Sequence, residues 1–285
     1  MNKKLLAGIG VSGAIMLGSV YSISANTSGY DLYKSALKET HTADSATMQV
    51  NVNLKDNNKM IYSVASTYKA DVKNQVSMMS TQVANESEKG KMNLYKQGGS
   101  WYVTKDGDDK VYKMNMASNP HQNTAALQDD VENLIDVMTK NLQQQITVSE
   151  QKSGRHTIEL GLKGKEIPVT VNAFSTLMIK HAVVLQDRTE PKQAKFHINP
   201  TIPELDHEIT FKQIKLVASV NKDNHLDQQT IQVVVTGKDK QDTAHELVLN
   251  LKMDVTDYNQ TNVVPVEIPT DKVTEIDMNH GHLGN

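Results

Sequence analysis

The sequence predicts an α+β fold: a curved antiparallel β-sheet, a half-barrel, wrapped around two or three helices. Three observations predict it. Long segments alternate apolar and polar residues, the signature of half-buried strands. Short clusters of Asn, Asp and Gly separate those segments, as hairpin turns require. A 3.6-residue apolar period appears at only three places, once before the strands and twice in the middle of the chain.

Composition narrows the function. The 285 residues carry 30 Lys+Arg against 33 Asp+Glu, a formal net charge of −3, and no cysteine. Without cysteine there is no disulfide framework, thiolate metal site, cysteine nucleophile or lipidated N-terminal cysteine. The balanced charge argues against nucleic acid as a partner, since such binders gather a basic surplus on one face. Aromatic residues make up 5% of the chain, so the core falls to Val, Leu, Ile and the 13 methionines.

Residues 1–25 read as a signal peptide, or as an N-terminal anchor if uncleaved. Lys3 and Lys4 precede the uncharged run Leu5 to Ile23, and Ala25 supplies the small residue at a cleavage point. The expected location is therefore extracytoplasmic, secreted or associated with the cell envelope. Residues 26–270 form a single domain and residues 271–285 a flexible tail.

The elements follow in order. Ser28 and Asp31 have capping-box spacing, and Tyr30, Tyr33 and Leu37 continue a helix over 29–40. Met48, Val50, Val52 and Leu54 alternate with polar neighbours, turn at 55–58, and return through Tyr62, Val64 and Tyr68. Strands follow near 72–79, 91–95, 100–104 and 110–114, with turns at Gly98-Gly99 and Asp106-Gly107-Asp108. Helices are predicted over 124–142 and from Pro168 through Val184. Between them, short strands flank Ser153-Gly154. Ile209 and Phe211 lie in one phase, whereas Ile214, Leu216, Ala218 and Val220 lie in the other. A phase flip within one apolar run marks a β-bulge. The last strand, Leu247 to Val255, alternates most cleanly, and Leu249 is expected in its buried phase. Pro265 and Pro269 keep the following segment out of any central strand.

With Tyr30-Asp31-Leu32-Tyr33 on the first helix, Trp101-Tyr102-Val103 after a glycine turn, and Asp257-Tyr258-Asn259 followed by Val266-Glu267-Ile268-Pro269, the chain resembles the LolA/LolB-like lipoprotein-carrier superfamily. The resemblance is to the exported members of Gram-positive bacteria. It implies an incomplete barrel that shelters an acyl chain, and a lipid or acylated protein as partner. Many such members carry a lipobox cysteine, which this chain lacks.

No nucleophile elbow, phosphate-binding glycine loop, paired zinc histidines or dinucleotide fingerprint is present, so a non-enzymatic role is expected and no cofactor is implied. His280-Gly281-His282 reads as a solvated terminus, and Asp106-Gly107-Asp108-Asp109 as a hairpin tip without the ligand spacing of a calcium loop. No metal site is assigned.

Methionines cluster in the first meander, and their flexible, polarizable chains adapt to apolar ligands of variable shape. Met48, Val50, Val64, Met78, Met92 and Trp101 are the candidate lining of a lipid cavity, with Gln49, Asn51, Ser63 and Asn93 facing solvent; the alternative is that methionine simply fills a core short of aromatic rings. Tyr, Thr and Asn at the rim would place a headgroup. The expected function is a monomeric binding protein holding a lipid or lipidated protein. The alternatives are a protein-binding envelope-stress regulator, with a membrane-anchored partner, or a structural surface or coat component.

Overall fold

A computed structural model describes residues 28–115, 142, 145–168, 198 and 201–277. Its single described α-helix, α1 (Gly29–Thr42), starts as the spacing requires. Ser28 Oγ accepts from the Asp31 backbone N–H at 3.2 Å, and Asp31 Oδ2 accepts from the Ser28 N–H at 3.2 Å. This reciprocal pair satisfies donors that the first helical turn leaves open.

The chain then builds β1 (Ser45–Asp56), β2 (Lys59–Asp71), β3 (Val76–Asn85), β4 (Lys89–Gln97), β5 (Ser100–Lys105) and β6 (Val111–Asn115). After them come β7 (Thr147–Glu150), β8 (His156–Lys163), β9 (His207–Val220), β10 (Leu226–Lys238), β11 (Ala244–Thr256) and β12 (Val273–Asp277). All pair in one 12-stranded sheet, ordered β12-β6-β5-β4-β3-β2-β1-β11-β10-β9-β8-β7. Every pairing is antiparallel except β12 with β6.

Turn chemistry sets the hairpins. Asn57 and Asn58 join β1 to β2 at φ 46° and 67°, and Gly98 and Gly99 join β4 to β5 at φ 57° and 74°. Two successive residues at positive φ match the twist of flanking strands, and Asn and Gly tolerate that region best. In β9 the pairing passes from Val234↔Gln213 to Val235↔Phe211, leaving Lys212 as the extra residue. That is the bulge announced by the phase flip between Phe211 and Ile214, and it bends the strand.

The expectation of a sheet wrapped around two or three helices is corrected. The structure is mostly one large sheet, and among the described residues only α1 is an α-helix. The segments 124–142 and 168–184, where the spacing predicts two more helices, lie outside the described residues apart from Leu142 and the start of the second. The domain boundary also moves. Residues 273–277, expected in a flexible tail, form edge strand β12 beside β6.

One face of the sheet, the inner face, carries α1. Ala36 and Leu37 pack there with Val50, Val52, Leu251, Met253 and Val255. Burial of a Leu, Val or Met side chain of this kind contributes about 1.5–3 kcal/mol. Polar ties fix the helix: Thr40 Oγ1 accepts from the Leu226 N–H at 2.8 Å, and Ser35 Oγ accepts from Asn224 Nδ2 at 2.6 Å. A second cluster at the other end of this face includes Leu142, Leu162, Phe211 and Leu247. After β11 the chain runs as a strap. Thr261 Oγ1 lies 3.0 Å from Thr47 Oγ1, and Gln97 brackets the Val266 backbone through both its amide atoms at 2.7 and 2.8 Å. The strap delivers β12 to the far edge.

Candidate functional site

Register decides which side chains share a face, because successive residues of a strand point to opposite sides. Starting from Met48, the cross-strand row runs Met48, Tyr68, Met79, Leu94, Val103 and Tyr112. The next row runs Val50, Ser66, Thr81, Met92 and Lys105, and a third runs Val52, Val64 and Val83. Trp101 lies opposite Lys96 and Met114 on the same face.

Met48, Val50, Val64, Met92 and Trp101 therefore share the inner face. Met78 does not. It pairs with Lys69 and Tyr95, and its row passes through Thr47 on the outer face. The expected place is taken by Met79, which is buried. Adjacent methionines carry no alternation, so the pattern at 78–79 held no phase information. Gln49, Asn51, Ser63 and Asn93 all lie on the outer face as expected.

The inner face divides in two. Met48, Val50 and Val64 belong to the cluster beneath α1. Met79, Leu94, Val103 and Met114 form a separate cluster across β3–β6, with Tyr68, Met92, Trp101 and Tyr112 half-buried around it. Two cations stand at its margin: Lys96 Nζ is 5.7 Å from the Trp101 ring centre and Lys105 Nζ is 5.8 Å from that of Tyr112. Sequence reasoning missed both lysines. Their strand phase held the signal, since each is a charged residue at an inward position.

Two buried polar devices interrupt the apolar face. Ser66 Oγ and Thr81 Oγ1 are 3.0 Å apart. Gln229, fully buried, accepts from the Tyr33 hydroxyl, and its Nε2 has no described partner. Burial pushes the Tyr33 phenol well above its ordinary pKa. Tyr258 is structural: its hydroxyl donates to the Leu226 carbonyl at 2.5 Å, and its ring stacks on His225 with centres 4.4 Å apart.

The Asp106–Asp109 tip is closed on itself. Asp108 accepts from the Tyr112 hydroxyl at 2.7 Å and from the Lys110 N–H at 3.1 Å, which hold its carboxyl below the usual range. Among the described residues, no three His, Asp or Glu side chains are placed to hold a metal ion. His280 and His282 lie outside the described residues. No described helix is long and apolar enough to cross a membrane.

No protein-family model matches the chain, and no curated protein matches it. Several solved structures do. An uncharacterized conserved protein from Thermus thermophilus is 8% identical at a TM-score of 0.31, covering 87% of this chain and 98% of that one. A LolA superfamily protein from Nitrosomonas europaea is 8% identical at a TM-score of 0.24, over 83% of this chain and 95% of that one. An S-type phycobiliprotein lyase from Guillardia theta is 6% identical at a TM-score of 0.18, over 77% and 92%. With TM-scores this far below 0.5, none of the three carries a functional inference to this chain.

Proposed function

We propose that this chain is an exported, non-enzymatic binding protein, of the LolA-like carrier kind found in Gram-positive bacteria, that holds an acyl chain against the β3–β6 half of its inner face. The observation that supports this reading is the cluster of Met79, Leu94, Val103 and Met114, set apart from the α1 core and bordered by Met92, Trp101 and Tyr112. An acyl chain laid there gains about 0.8 kcal/mol for each methylene removed from water. Methionine lining tolerates chains that differ in length and branching. Lys96 and Lys105 at the margin suit an anionic headgroup, carried by a free lipid or by a lipid-modified protein. The run of charge, apolar stretch and small residue in 1–25 supports export.

Trp101 is the sole tryptophan, so its emission reports this half of the face without labels. Adding a long-chain fatty acid or phosphatidylglycerol to the protein is expected to blue-shift or quench that emission, saturably. An emission indifferent to both lipids would refute the reading.

A further inference from the structure

The inner-face row that contains Trp101 differs from the apolar row beside it. From β2 to β6 it runs Ala70, Ser77, Lys96, Trp101 and Met114. Its three central members stand on adjacent strands, about 4.8 Å from one to the next. Ser77 is buried, and Lys96 and Trp101 are half-buried. Each carries a hydrogen-bond donor: a hydroxyl, an ammonium and an indole N–H. None of the three donates to a partner among the described residues.

Charge singles out Lys96. At the other margin of the β3–β6 cluster, Lys105 is already matched by Asp108. The Tyr112 hydroxyl and the Lys110 N–H hold that carboxyl below its usual range, and the charge of Lys105 lowers it further. Lys96 meets no carboxylate among the described residues. Its Nζ stands 5.7 Å from the Trp101 ring centre, a cation–π contact that keeps the ammonium on the inner face. An ammonium partly withdrawn from water attracts an anion more strongly than an exposed one does.

The neighbouring row limits what the anion is attached to. Met79, Leu94 and Val103 are buried and offer no side-chain donor. In an ester-linked lipid or an acylated protein, ester or amide carbonyls sit at the start of the acyl chain. They would lie on these three side chains unpaired, which is unfavourable. A fatty acid avoids that burial, because its carboxylate joins directly to methylenes. One negative charge matches the single ammonium, and two oxygens can accept from all three donors.

We infer that the inner-face site takes a free fatty acid, with its carboxylate on Ser77, Lys96 and Trp101 and its chain running along β4 and β5 toward Met92. This rests on the acyl-chain reading and narrows its ligand from lipids in general to monocarboxylates.

Titration calorimetry of the full chain tests it with dodecanoate and methyl dodecanoate, both below the concentrations at which they aggregate. Dodecanoate is expected to bind about tenfold or more tightly than the ester, the ratio that one charge-assisted hydrogen bond supports. In Lys96→Gln that preference is expected to vanish while the ester binds as before, which also shows the variant to be folded. Lys105→Gln is expected to keep the preference. Equal affinity for acid and ester in the parent protein overturns the carboxylate assignment and leaves the acyl-chain reading standing. Binding of neither overturns both. A preference that survives in Lys96→Gln, or is lost in Lys105→Gln, overturns the assignment too.

Discussion

His245 Nδ1 lies 2.8 Å from Asp56 Oδ2, and the same imidazole places Nε2 3.4 Å from Asp239 Oδ2. Asp56 ends β1, Asp239 follows β10 and His245 opens β11, so one ring ties three strand ends. The ring is 12% exposed. Burial pulls its pKa down, but the hydrogen bonds and charges of Asp56 and Asp239 together outweigh that and leave it raised. His207 repeats the arrangement nearby, with Nε2 3.0 Å from Asp242 and Nδ1 3.4 Å from Asp206.

A histidine raised in the folded state stabilises most when both states are protonated. The contribution of His245 is therefore complete below about pH 6.5, the ordinary histidine value, and fades as pH rises through the higher folded-state value. His245→Gln is expected to cost about 1.5–3 kcal/mol at pH 5.5, the range for a charge-assisted hydrogen bond, and clearly less at pH 9. Urea melts of both proteins at the two pH values read the difference. An equal gap at each pH would show that the ring acts by packing alone.

Tyr33 and Gln229 make a second test. Tyr33→Phe leaves the buried Gln229 amide with neither of its ends satisfied, at a cost of about 1–3 kcal/mol. Gln229→Leu in the same protein removes the stranded amide and is expected to recover most of that loss. If the double variant is as unstable as the single, the tyrosine hydroxyl has a role other than satisfying Gln229.

Much of the architecture was legible in the sequence because it rests on local rules. The Ser28–Asp31 box, the Asn57-Asn58 turn and the bulge near Lys212 each follow from a few neighbouring residues. The outward phase of Gln49 and Asn51 does as well. What escaped depends on pairing between distant strands. No local pattern shows β12 joining β6, because Val273 and Val111 meet only after the strap has crossed the sheet. Nor could local spacing reveal His245 between Asp56 and Asp239, which come from different hairpins. Met78 and Met79 failed for the opposite reason: two equal residues side by side leave the phase undefined.

Gly29 is required by close approach. A Cβ there would stand 2.7 Å from Ile146 Cγ2 and 2.8 Å from Val148 Cγ2. Since β7 is a short, exposed edge strand, it can yield, so Gly29→Ala is expected to cost about 1–3 kcal/mol and to displace β7. Amide hydrogen exchange at residues 147–150 should accelerate more than exchange in β1. Unchanged exchange at β7 would mean that α1, not the strand, absorbs the added methyl.

The buried phase of β11 is not uniform. The alternation puts Leu249 in the core, yet it is 36% exposed, whereas Leu251 is 6% and Met253 1% exposed. Met253→Ala opens a cavity beneath α1 and is expected to cost about 2–5 kcal/mol. Leu249→Ala, already partly in water, should cost less than half as much. Denaturation midpoints of the two variants decide this, and equal losses would place Leu249 under cover that the exposure does not show.

The last prediction turns the face assignment into a measurement. Met92 lies on the inner face opposite Thr81 and Lys105 and, like Trp101, packs against the β3–β6 cluster. Met78 sits on the outer face opposite Lys69 and Tyr95. Both are half-buried, so glutamine at either position adds a polar amide without burying a charge and should leave the fold intact. An acyl chain against the β3–β6 cluster would lose apolar contact and meet a hydrated amide in Met92→Gln, since burying an amide without a partner is costly. The Trp101 response to fatty acid is expected to require about tenfold more ligand in Met92→Gln and to be unchanged in Met78→Gln. A matching loss in Met78→Gln would place the ligand on the outer face. Unaltered responses in both variants would remove the β3–β6 cluster from the lipid site.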